Sequence, residues 1–131
     1  MTRGRATRRL ATKAGEQHPA GHRYAFEFRD PSWHAEAVYD RLTAANAALV
    51  VADMAGETSP CQVTADFVYL RLHGPGADAY TGTYADDALR AWVARIREWR
   101  AEGRNVVCFF NNNDAGHAPR DAMRLQTLLD A

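Results

Sequence analysis

No stretch of this 131-residue sequence approaches the roughly 20 consecutive apolar residues of a membrane-spanning helix. The first residues hold no apolar core of roughly 7–15 residues, so we expect them not to act as a secretory leader. Cysteine is scarce. Cys61 and Cys108 stand far apart and outside any CxxC pattern, which argues against a disulfide scaffold or a cysteine zinc site and fits a reducing cytoplasm. HExxH, a serine nucleophile elbow and a Walker loop are all missing, so no short motif announces a reaction. There is no internal repeat and no low-complexity linker, and the length suits one domain. Excess charge is lacking too, with 16 basic and 16 acidic residues.

That balance hides an uneven distribution. Residues 1–23 carry Arg3, Arg5, Arg8, Arg9, Lys13 and Arg23 against Glu16 alone. A basic, acid-poor start of this kind contacts nucleic acid, serves as a targeting peptide or remains a disordered tail, and we expect a tail over residues 1–18 ahead of a folded domain over 19–131.

Alternation marks the folded part. Residues 23–29 (Arg-Tyr-Ala-Phe-Glu-Phe-Arg) read as a strand, broken by Asp30-Pro31-Ser32. Asp30 or Ser32 is then placed to cap a helix whose apolar stripe is Val38, Tyr39, Leu42 and Ala45, with Asn46 at its end. Residues 48–53 form a short continuous apolar run, as in strands covered on both faces. Residues 67–73 and 106–110 supply two more strands. Between them Leu89, Trp92, Val93, Ile96 and Trp99 recur at helical spacing from Asp86 to Gly103. Pro119 opens a last helix packed by Ala122, Leu125, Leu128 and Leu129. The order predicts an α/β fold with about four parallel strands and flanking helices, part of a (β/α) barrel. Residues 54–66 are short for a crossover, so a helical turn or an extended connection must serve there.

From about Pro19 onward the chain resembles the C-terminal half of the domain-of-unknown-function-72 (YecE-like) family. The resemblance is carried by Glu27-Phe28-Arg29-Asp30-Pro31-Ser32-Trp33, by Val51-Ala52-Asp53, and by Tyr69-Leu70-Arg71-Leu72-His73-Gly74. Residues 80–84 and Phe110-Asn111-Asn112-Asn113 with Gly116-His117-Ala118 add to it. It implies half of a TIM-like barrel, and hence a split, truncated or excised sequence, since a whole (β/α)8 barrel runs to about 250 residues.

The period of two along a strand sorts the polar residues. Glu27 and Arg29 share a face opposite Phe26 and Phe28. Arg71 and His73 share a face opposite Leu70 and Leu72. Asp53 is grouped with Leu49 and Val51 on a face expected to point inward, and Asn111 or Asn112 joins at the end of the last strand. All lie at strand C-terminal ends, where TIM barrels keep their sites. Two readings stand side by side. In one, Glu27–Arg29 and Asp53–Arg71 are internal ion pairs holding the barrel top. In the other, Glu27, Asp53 and His73 are catalytic, while Arg29, Trp33, Arg71, Tyr84, Asn111 and Asn112 bind ligand. Paired arginines suit a phosphate or carboxylate, on a small molecule or a nucleic acid. The alternative of Glu27, Asp53 and His73 around a divalent metal has no motif behind it, and no cofactor is indicated. The competing function is a non-catalytic half-barrel, or an inactive fragment, that needs a partner half. Open edges and a bare inner face carrying Val51, Tyr69, Val107 and Phe109 predict a homodimer or a separate N-terminal half as partner.

Overall fold

The computed structural model describes residues 22–131. The expected basic tail lies outside the described residues. Within them the predicted α/β architecture is present: a parallel sheet with helices packed on it.

Strand β1 (Ala25–Phe26) is shorter than its alternating sequence suggests, because it is an edge strand paired with β2 only at Ala25↔Ala48 and Phe26↔Leu49. The Asp30 carboxylate then accepts from the Ser32 amide at 3.0 Å and from its hydroxyl at 2.8 Å, capping a single 3-10 turn, Pro31–Trp33. The first α-helix, α1 (Glu36–Ala44), starts later, at an Ala35 cap with no side-chain bond. Asp30 therefore caps the turn that contains Ser32, and neither residue caps the helix. Asn46 follows the helix end in the left-handed region, φ +48°, which asparagine tolerates, and its Oδ1 accepts from the Asp66 amide at 2.9 Å.

Strand β2 (Ala48–Met54) leads into the short connection, which is extended. Ala55 (φ +52°) and Gly56 (φ +83°) make a tight two-residue turn of the kind favoured in hairpins, and β3 (Glu57–Thr58) pairs back onto β2. The chain then returns without a helix. The buried Thr64 hydroxyl donates to Ala47 O at 2.7 Å and accepts from the Leu49 amide at 2.9 Å, tying the return path to the start of β2. Strand β4 (Phe67–Leu72), helix α2 (Asp86–Ala101), β5 (Asn105–Phe110) and α3 (His117–Asp130) complete the fold. The parallel strands lie in the order β1-β2-β4-β5.

Register decides which residues share a face. Val51 pairs with Leu70, Ala52 with Arg71 and Asp53 with Leu72. Val51, Leu70 and Leu72 join Leu89, Val93, Ile96, Trp99 and Leu125 in the main core beneath α2 and α3. Phe28, Tyr39, Leu42 and Leu49 form a second cluster under α1. Val51 is thus buried on the helix side, not on the inner face as the sequence suggested, and Val50 takes the inner position. Leu125, Leu128 and Leu129 of α3 pack on the core as expected, whereas Ala122 is exposed and Ala118 and Asp121 are buried.

The opposite face of the sheet is sparsely covered. Tyr69 stacks on Phe109 with ring centroids 5.7 Å apart, yet Phe109 remains 51% and Val107 37% exposed. An apolar face between unpaired strand edges favours association. The 131-residue chain is expected to self-associate at micromolar concentration in sedimentation equilibrium, and Phe109→Lys to shift it toward monomer. A well-folded monomer before and after substitution would refute this.

Candidate functional site

Glu27 follows directly on β1 and points from its end across the sheet. Its Oε2 accepts from Arg29 Nε at 2.5 Å. Its Oε1 lies 3.4 Å from Arg71 Nη1 on β4 and 3.2 Å from Nε2 of His73, just beyond β4. Asn111, one residue past β5, accepts at Oδ1 from Arg71 Nη2 (3.1 Å) and Nε (3.3 Å). One carboxylate, largely buried, therefore gathers groups from two strand ends, and Asn111 adds a third. His73 is fully buried, while the Arg29 and Arg71 side chains are 48% and 33% exposed.

Burial raises the Glu27 pKa. The His73 hydrogen bond and the charge of Arg29 outweigh it and hold the carboxyl below its ordinary value. Two fixed guanidinium charges against one carboxylate leave the cluster with a positive excess.

A glycine-dependent loop closes over it. Gly74 sits at φ +109°, and a Cβ there would lie 2.3 Å from Thr81 O, so no larger residue fits. The loop turns back through the Gly76 N–H to Thr81 O bond at 2.9 Å. It delivers Tyr80, itself at φ +66°, edge-on to His73 with centroids 5.2 Å apart and within 3.4 Å of Arg29. In sequence, Tyr80 and Tyr84 both fall in the loop after the third strand, where barrels make ligand contacts; of the two it is Tyr80, not Tyr84, that reaches the cluster.

The other expected members lie elsewhere. Asp53 shares the helix-side face with Leu72, and its carboxylate accepts from Thr58 at 2.7 Å and from the Tyr84 hydroxyl at 2.8 Å. The Asp53–Arg71 pair does not form, and Asp53 does not join Glu27 and His73. Among the described residues no three His, Cys, Asp or Glu side chains converge as a metal set. Tyr84 is buried and its hydroxyl accepts from the Gly74 amide at 2.9 Å; burial, with the bond to Asp53, pushes its pKa up. Asn112 also points to the helix side, donating to Gly82 O and to Asp121 Oδ2, each at 2.8 Å. Asp121 is fully buried and takes further bonds from Thr83, the Tyr84 amide and Arg124. Trp33 stacks on Phe28 at 5.0 Å in the α1 cluster. Of the predicted residues, Glu27, Arg29, Arg71, His73 and Asn111 come together, whereas Asp53, Tyr84, Asn112 and Trp33 do not.

A family described as protein of unknown function DUF72 matches residues 2–131. The chain belongs to this family. The match starts ahead of Pro19, where the sequence resemblance becomes recognisable. A DUF72 family protein of Enterococcus faecalis V583 superimposes with a TM-score of 0.76 at 18% identity, over 98% of this chain and 52% of that one. A DUF72 family protein of Thermotoga maritima MSB8 gives 0.74 at 26% identity, over 85% and 47%. This DUF72 chain thus spans about half the length of the solved structures it resembles. Among curated proteins none matches it.

Glu27→Gln removes the shared charge. At neutral pH it is expected to destabilise the fold by about 1–3 kcal/mol, less than for a fully buried pair because both arginines are partly solvated. A depressed carboxyl contributes stability that is complete above its unfolded pKa and lost as pH falls through its folded one. The gap between the two proteins in urea titrations should therefore be widest above about pH 4.5 and narrow below it. A gap independent of pH contradicts the assignment.

Proposed function

We propose that this DUF72 chain binds an anionic ligand, a phosphate or carboxylate, at the C-terminal ends of its parallel strands. Arg29 and Arg71 are the cationic partners, with Asn111 aligning Arg71. The observation that carries this reading is the sharing of one carboxylate, Glu27, between two partly exposed guanidinium groups, which leaves positive charge unmatched and N–H donors free. A cavity of about 390 Å³ on the inner face borders Glu27 and Arg71, with room for a small ligand.

A binding role has more support than catalysis. His73 and Glu27 are within proton-exchange distance at 3.2 Å, which suits acid–base work. Asp53, the other expected catalytic carboxylate, is committed to Tyr84 and Thr58. A hydrolase-like activity on a phosphate-bearing small molecule or nucleic acid thus rests on His73 and Glu27 alone. Among the described residues no helix is long and apolar enough to cross a membrane. The free thiols of Cys61 and Cys108 fit a reducing cytoplasm.

Phosphate or sulfate should raise Tm more than chloride at equal ionic strength. Arg71→Met should abolish most of the difference, and a substitution at the exposed Arg90 should leave it intact. Equal Tm values in all salts, or equal loss in the Arg90 variant, would count against the site.

A further inference from the structure

The inner face of the sheet is layered along its strands. Phe67, Tyr69 and Arg71 alternate on this face of β4, and all three line the cavity of about 390 Å³. Register sets Val50 and Val107 on either side of Tyr69, so the middle layer of the cavity wall is apolar from β2 to β5. Ala25 of β1 adds to the same wall. A cation stands at each end of this apolar stretch. At the strand C-terminal end is Arg71, partly exposed, whose two terminal nitrogens each keep an N–H beyond the contacts to Glu27 and Asn111. At the other end is Arg23, whose guanidinium lies over the Phe67 ring at 5.1 Å. The Ala48 amide donates to Tyr24 O at 2.9 Å and so fixes the chain against β2 directly after Arg23. Among the described residues no carboxylate pairs with Arg23.

We propose that this cavity takes an elongated dianion, two acid groups joined by an apolar body, laid along β4 with one acid on Arg71 and the other on Arg23. The inference rests on the anion-binding reading above and names the ligand class for it. Strand geometry sets the length. Phe67 and Arg71 are four residues apart on β4, about 13 Å along the strand, so a ligand that meets both cations is a long diacid rather than a short one. The walls set the middle of the ligand. The side chains of Ala25, Val50 and Val107 offer no hydrogen-bonding group to a hydroxylated body, whereas methylenes laid against them leave water. Glu27 also borders the cavity, but its two oxygens are engaged by Arg29, Arg71 and His73, and the guanidinium charges outnumber it. A monoacid held by Arg71 would leave the charge of Arg23 unanswered; a second carboxylate answers it.

Calorimetric titration of the 131-residue chain with azelate, nonanoate, succinate and inorganic phosphate, at matched ionic strength, tests this. Azelate and nonanoate share a nine-carbon chain and differ in the second carboxylate, which makes azelate the less hydrophobic of the two. Azelate should nonetheless bind about fivefold more tightly, the gain from one partly solvated ion pair. It should exceed succinate, which is too short to span the cavity, by about tenfold or more. Arg23→Gln should bring azelate down to the affinity of nonanoate and leave nonanoate unchanged, and Arg90→Gln should alter neither. Equal binding of azelate and nonanoate, equal binding of azelate and succinate, or a gain that survives Arg23→Gln overturns the dianion assignment alone. So does binding of phosphate with none of the organic acids. Failure of phosphate and of all three acids to bind overturns the anion site as well.

Discussion

The carboxylate of Glu27 is the contact on which the strand-end cluster depends. It is acceptor-only and largely buried, and it faces two guanidinium groups and an imidazole. Without it Arg29 and Arg71 would repel each other, and His73 would lose the bond to its Nε2. Strand β1 makes only two register pairs with β2, so the short edge strand owes part of its anchoring to this side chain. Glu27 lines a cavity on the inner face together with Arg71, while Arg29 and His73, which it contacts, line a groove beside the hairpin.

The sheet divides the polar residues into two sets with different work. On the helix side, Asp53 holds the Tyr84 hydroxyl, which in turn accepts from Gly74. Asp121 holds Thr83, the Tyr84 amide, Asn112 and Arg124. Burial alone would raise the Asp121 pKa, but these donors bring it below the ordinary value. Both sets of bonds pin the ends of the loop that carries Tyr80 over His73. The helix-side carboxylates thus fix backbone, while Arg29 and Arg71 on the other side stay partly exposed.

Much of this was legible in sequence wherever polarity alternates. Tyr69, Arg71 and His73 differ from Val68, Leu70 and Leu72, so the faces of β4 could be read directly, as could Glu27 against Phe26 and Phe28. Strand β2 offers no such contrast. Its run of Ala48, Leu49, Val50, Val51 and Ala52 is apolar on both faces, and a phase error of one residue exchanges every side chain. Asp53 was therefore assigned to the wrong side. The Asn111–Asn112 pair was ambiguous for the same reason, since two identical residues in succession carry no phase. Asp121 was missed, and Tyr84 was preferred over Tyr80, because these roles come from packing of α3 and from a positive-φ loop, neither of which a periodic pattern encodes.

The central claim is that a cluster held by Glu27 keeps two guanidinium groups ready for an anion. NMR of the arginine Nε–H resonances during titration with inorganic phosphate, with chloride at matched ionic strength as reference, tests it most directly. The account predicts saturable shifts at Arg29 and Arg71, and no comparable change at the exposed Arg90. Shifts spread evenly over all arginines, or none at Arg29 and Arg71, would contradict it.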